Sequence, residues 1–145
     1  PGALTAKERA VMMSHTYLGA RLFTDRHSEF DEVASQVALT HHENWDGTGY
    51  PGRVDIRTGK PLHPDQKGMS RTLRGEEIPL YGRVVALADV YDALRSHRVY
   101  KKAWDEEEVL HEMQRLAGTK FDPELVDIFF ESLEILKSIS ARYPD

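Results

Sequence analysis

An all-α fold is what this sequence predicts, and three observations carry the expectation. Apolar residues recur at three- and four-residue spacing in several separate stretches, recognisable helix caps precede those stretches, and no segment alternates apolar and polar residues over the length of a strand. A chain of 145 residues, 40% hydrophobic and 30% charged, has the balance of one globular domain. About five helices and one long loop account for its length.

The first helix is announced by Thr5-Ala6-Lys7-Glu8, a capping-box pattern, and is expected to run to about Thr24 with Val11, Met12, Tyr17, Leu18, Ala20 and Leu22 as apolar surface. His15 lies inside it. A second start is signalled near Ser28, after which Phe30, Val33, Ala34, Val37, Ala38 and His41 fall on one face. That places His41 on the buried side, with His42 about 100° further round the axis. From Gly47 to about Glu77 the chain is rich in Gly, Pro, Asp and Arg and shows no periodicity. We read residues 52–74 as a mobile surface insertion that shields or gates a cleft, with a short hairpin around Thr58-Gly59-Lys60. Pro79 suits a first helical turn, and Leu80, Val84, Leu87, Ala88, Tyr91 and Leu94 follow as a stripe. Asp105-Glu106-Glu107-Glu108 opens the next helix with acids at its positive end, and Gly118 closes it. Asp122-Pro123 caps and starts the last, which runs to about Ser140.

The bulk properties exclude several classes. No run approaches the ~20 apolar residues of a spanning helix, and the first residues lack the pattern of a signal peptide. A net charge of −5 argues against non-specific duplex DNA binding, where cations must neutralise phosphates. It leaves room for a small anion, because a metal and a few local cations outweigh the global charge. The absence of cysteine removes disulfides, thiolate metal sites and cysteine nucleophiles, and is compatible with a reducing cytoplasm.

The chain is organised around His41-His42-Glu43-Asn44-Trp45-Asp46-Gly47-Thr48-Gly49-Tyr50-Pro51. Two histidines end an amphipathic helix and run straight into a glycine-punctuated turn, so both imidazoles can reach one cleft. Asp89 follows the apolar run Val84 to Ala88, and Asp92, three residues on, shares its face. His15, His41, His42 and Asp89 are therefore candidate metal ligands. The plainer alternatives stay open on spacing alone: a surface or core histidine at 15, and a salt-bridge partner at 89. A His/Asp set without thiolates suits iron, manganese, zinc or nickel, and two such ions close together activate water and stabilise the oxygens of an in-line phosphoryl displacement. His27, His63, His97 and His111 read as surface residues.

The eleven-residue run resembles the HHExxDGxGYP signature of HD-GYP domains, cyclic-di-GMP phosphodiesterases within the metal-dependent HD hydrolase superfamily. The resemblance continues through Gly75 to Leu80, Val84 to Leu94, Ser96 to Trp104 and Ala117 to Pro123, and the stretch Leu4 to Gly19 looks like the helix that carries a ligand histidine. It implies an HD-like helical bundle in which His15, His41, His42 and Asp89 bind divalent metal. In a complete domain of this kind two or three ions are expected, iron or manganese ahead of zinc or nickel. It further implies that Asp92 is the catalytic acid near the attacking water, and that Arg98 and Lys101 grip substrate phosphates while Tyr50 lines the nucleotide pocket. The implied reaction is hydrolysis of cyclic-di-GMP to the linear dinucleotide or the mononucleotide in bacterial second-messenger signalling. A diguanylate cyclase domain is an implied partner through the Gly-Tyr-Pro region.

Two departures qualify this. No His-Asp dipeptide occurs anywhere in the sequence, so the chain is expected to correspond to the C-terminal two-thirds of such a domain, with four of the family's ligands, weak or incomplete metal binding and poor turnover. The insertion at 52–74 is longer than is usual in the family. The second reading they motivate is a catalytically inactive signalling module that binds a nucleotide or a diguanylate cyclase domain.

Overall fold

The computed structural model describes residues 3–25, 28–96 and 104–142. Among these, the chain forms seven α-helices: α1 (Ala6–Met13), α2 (His15–Arg21), α3 (Glu29–Thr40), α4 (Leu80–Arg95), α5 (Glu106–Arg115), α6 (Pro123–Glu131) and α7 (Leu133–Arg142), with one 3-10 turn at Gly75–Glu77. No strand is present among the described residues, only isolated bridges. The all-α expectation holds. The count exceeds five because two of the expected helices are interrupted at single residues, Ser14 and Ser132.

The interruption at Ser14 has a local cause. Three consecutive side chains each bind the carbonyl three residues back: Ser14 Oγ donates to Val11 O (2.6 Å), His15 Nδ1 to Met12 O (2.6 Å) and Thr16 Oγ1 to Met13 O (2.9 Å). Side chains that bond the helix's own carbonyls compete with the regular ladder and bend it. At Ser132 (φ −91°, ψ 0°) the backbone hydrogen bonds nearly continue, and α7 follows α6 after one residue. The structure offers no side-chain cause there.

The caps read from the sequence form. Thr5 and Glu8 make a reciprocal capping box, as do Ser28 with Asp31 and Asp105 with Glu108. Asp122 caps α6 with Pro123 in its first turn. The main core lies in the C-terminal half, where Leu87 of α4, Val109 and Met113 of α5, Phe121, and Val126 and Phe129 of α6 bury one another.

The helix faces differ from expectation in the N-terminal half. Val11 is 67% and Leu22 82% exposed, whereas the residues α2 buries are Thr16 and Ala20. On α3, Phe30 is exposed and Ser35 and Thr40 are buried. Small residues win because these helices approach closely. A Cβ on Gly19 would sit 3.3 Å from Ala38 Cβ, and one on Gly82 of α4 would sit 2.1 Å from Thr40 Oγ1. The stripe expected on α4 is likewise rotated: Gly82, Ala86 and Leu87 are buried while Leu80 and Val84 are half exposed. α3 is thus pressed between α2 and α4, and this sandwich brings the start of α2, the end of α3 and the face of α4 carrying Asp89 towards one place.

Candidate metal centre and its cleft

His15 opens α2, His41 caps the C-terminus of α3 and His42 follows it. Their ligating nitrogens all lie within 4.8 Å of one another. His15 Nε2 and His41 Nε2 are 3.3 Å apart, and the His41 and His42 ring centroids are separated by 4.1 Å. The other nitrogen of two of these rings is occupied. His15 Nδ1 faces Met12 O at 2.6 Å, and His41 Nδ1 faces Val37 O and Ala38 O at 3.0 and 3.1 Å. A carbonyl can only accept, so in the neutral rings Nδ1 carries the hydrogen and Nε2 is a bare lone pair. Two lone pairs held face to face at this distance repel unless a cation lies with them. The donor set therefore fits a divalent metal, and the backbone carbonyls orient the imidazoles as ligand partners do in metal sites.

Electrostatics agree with a crowded cluster of imidazoles. His42 is held down to about 4 by burial first, then by its neighbours His41 and His15, with Asp89 opposing. Asp89, exposed on α4, is close enough to act on His42, Tyr50 and Lys120 but stands outside the compact imidazole group. Asp92 is exposed one turn further along, and its carboxylate makes no hydrogen bond or ion pair with a described residue. Tyr50 stacks towards His42, centroids 4.8 Å apart and planes 30° from parallel, and its hydroxyl reaches Met12 Sδ at 3.7 Å. Burial raises its phenol above the usual range, against the pull of Arg9. Arg98 and Lys101, the expected phosphate-gripping cations, lie outside the described residues.

The turn after His42 is built by close packing. Tyr50 N donates to His42 O (3.1 Å), folding the motif back on itself. At Gly49 a Cβ would lie 2.3 Å from Asn44 N and 2.5 Å from Glu43 Cα, so only glycine fits. The peptide between Tyr50 and Pro51 is cis.

Three contributors to the site were not singled out from the sequence. Glu43 is only 2% exposed, and its carboxylate accepts the amides of Gly52 (2.5 Å) and Leu73 (3.2 Å), the two ends of the 52–74 insertion. Burial pushes its carboxyl upward, and the two amides pull it back. The insertion is further tied by Arg21, which donates to Ile56 O and Arg57 O, and by Gly59, which lies directly against the Tyr17 ring. Its expected short hairpin is present as the Val54–Pro61 bridge, with Asp55 capping the turn. The second is Lys120, half-buried, which donates to Asn44 Oδ1 (3.3 Å). Burial lowers its ammonium while Asp89 and Asp46 counter. Its own carbonyl and that of Thr119 accept the amides of Trp45 and Asp46, fastening the motif to the α5–α6 turn. The third is Arg83, which pairs with the buried Asp122 at 2.5 Å and lies over the Trp45 ring at 5.7 Å. Glu43 stands at the Glu of the quoted signature, but its burial and its hold on residues 52–74 carry no signal in a single sequence. Lys120 gave one only through its place in the family-resembling stretch Ala117 to Pro123.

Among the described residues no helix is long and apolar enough to cross a membrane. The HD domain family model matches residues 1–58 and 61–125. A cyclic di-GMP phosphodiesterase of Vibrio cholerae serotype O1 is 41% identical over 150 aligned positions, covering all of this chain and 27% of that protein. The 3'3'-cGAMP-specific phosphodiesterase 2 of the same organism is 36% identical, again over the whole chain and 24% of its own length. A cyclic di-GMP phosphodiesterase of Thermotoga maritima is 34% identical, with all of this chain aligned to 34% of it. The crystal structure of a cyclic GMP-AMP specific phosphodiesterase of V. cholerae superposes with a TM-score of 0.59 at 23% identity, over 94% of this chain and 27% of that one, and so shares the fold. The chain spans a quarter to a third of the length of these relatives. With the family model covering most of its residues, the chain belongs to the HD-domain family.

Proposed function

We propose that this chain forms part of a metal-dependent phosphodiesterase that hydrolyses a cyclic dinucleotide, cyclic di-GMP or a near relative. The observation that carries the reading is the trio His15, His41 and His42, with their lone pairs converging beside Tyr50. The names of the relatives give the substrate class.

In this reading His15, His41 and His42 hold a divalent ion, and Asp89 adds a carboxylate from α4. An imidazole–carboxylate set without thiolate favours iron or manganese, with zinc and nickel compatible. When bound, the metal supplies Lewis-acid activation of water and neutralises charge on the phosphoryl oxygens. The chain's own side chains do the rest. Asp92, exposed and free of described partners, takes up a proton at its carboxylate in this reading. Tyr50 presents a ring against which a nucleotide packs. Lys120 keeps a cation beside Asp89 and His42, and Arg98 and Lys101 bind phosphate oxygens. The Gly-Tyr-Pro turn is the surface at which a diguanylate cyclase domain would dock.

The test is hydrolysis by the full-length protein loaded with manganese or iron, followed by chromatography of the products. Conversion of cyclic di-GMP or 3'3'-cGAMP that is lost in His42→Ala supports the proposal. Full metal occupancy with neither dinucleotide cleaved rejects it.

A further inference from the structure

A cavity of about 720 Å³ lies against the metal cleft, and Tyr50 belongs to both. α1 and α2 contribute Arg9, Met13 and Tyr17 to its wall, the motif turn contributes Tyr50, and the insertion contributes Met69 and Ser70. The insertion's side is fastened. Glu43 clamps both ends of residues 52–74, Arg21 holds the carbonyls of Ile56 and Arg57, and Tyr17 covers Gly59.

The lining has a specific chemistry. Two tyrosine rings and two thioethers offer flat, polarisable surface of the kind that stacks on a nucleobase. Into this wall projects one guanidinium. The guanidinium of Arg9, an exposed residue whose amide is bonded to Thr5 O, makes no hydrogen bond or ion pair with any described residue. A free guanidinium presents two parallel N–H donors, and among purines that fork matches the O6 and N7 acceptors of guanine. Adenine offers N7 beside an amino donor, which the fork cannot satisfy. The volume is that of a small-molecule pocket.

We propose that this cavity is the guanine subsite of the cyclic-dinucleotide site, with Arg9 reading the O6/N7 edge and Tyr50 bridging base and metal cleft; this rests on the function proposed above. The insertion is then a fixed wall of the base pocket, and base preference is set on α1, away from the metal ligands.

The test compares cyclic di-GMP with cyclic di-AMP on the full-length protein and its Arg9→Gln variant. Binding to the metal-free protein is followed by calorimetry, and hydrolysis by the metal-loaded protein is followed separately. Glutamine matches the N6/N7 edge of adenine. The variant should therefore lose about tenfold or more in affinity for cyclic di-GMP while holding or gaining affinity for cyclic di-AMP. An equal loss for both dinucleotides would mean that Arg9 grips phosphate, and no change would mean that the cavity takes no base. Either result overturns the assignment, as does wild-type protein that binds neither dinucleotide. If wild type cleaves cyclic di-GMP and Arg9→Gln keeps its base preference, the subsite fails and the phosphodiesterase stands. If metal-loaded wild type cleaves neither dinucleotide, the phosphodiesterase reading itself fails.

Discussion

His15 Nε2 faces His41 Nε2 across 3.3 Å, and each ring has its second nitrogen against a backbone carbonyl. Neither ring can turn away without abandoning that carbonyl. The pair is thus an arrangement of lone pairs that the fold holds together in advance of any cation. A divalent ion should stabilise the folded state by mass action, about 2.7 kcal/mol at a hundredfold excess over its dissociation constant. Manganese, iron or zinc is expected to raise the melting temperature by several degrees. A chelator should reverse the shift, and His15→Ala, at an exposed position, should abolish it with little loss of metal-free stability. A melting temperature indifferent to all three metals would contradict this.

The same crowding makes the metal-free fold sensitive to acid. His42 titrates near 4 in the folded chain, mainly through burial, against about 6.5 when unfolded. Between these values the unfolded chain binds more protons, so stability is full above 6.5 and drains away as the pH falls towards 4. The ring is only half-buried, and after discounting for solvent screening the loss is on the order of 1–2 kcal/mol. Urea midpoints of the metal-free protein at pH 7 and pH 5 should differ in this direction, and the difference should shrink in His42→Asn.

Glu43 fastens the insertion through two amides, the buried one of Gly52 and the half-buried one of Leu73. Glu43→Ala leaves both donors without an acceptor, at a cost of about 2–4 kcal/mol. Glu43→Gln retains one acceptor and should cost less. Limited proteolysis gives the local readout: cleavage within 52–74 should speed up in the alanine variant far more than cleavage elsewhere.

Gly49→Ala is expected to be worse than ordinary overpacking, which costs about 1–3 kcal/mol. The atoms a Cβ would strike are backbone, Asn44 N and Glu43 Cα, and they cannot rotate aside. Gly82→Ala meets the side chain of Thr40, which can yield by giving up its bond to Gln36 O, and should stay within that range. Denaturation midpoints of the two variants should rank in that order, and metal affinity should fall with Gly49→Ala.

Much of the fold was readable because caps and turns are local chemistry. Thr5, Ser28, Asp105 and Asp122 each cap the helix expected of them. The meeting of His41 and His42 followed from their place at a helix end. What escaped reading was tertiary. Apolar periodicity put Ala20, Leu22 and Phe30 inside; Ala20 is buried, but close helix contact selected Thr16 and Ser35 in place of the other two. The interruption at Ser14 required knowing that three side chains would bind three carbonyls together. Glu43 and Lys120 depend on chain segments 30 and 76 residues distant, and no periodicity encodes such pairings.

The break at Ser14 has a further consequence. α1 buries none of its residues, yet it supplies Arg9, while α2 begins at His15 and is locked against α3. The joint separates a segment free to vary from one held in register by its neighbour. Substitutions on the outer turns of α1, away from Met12, can alter which molecule is welcomed while the carbonyl that orients His15 stays in place. Divergence in selectivity among proteins of this shape would then accumulate on the outer side of a single serine.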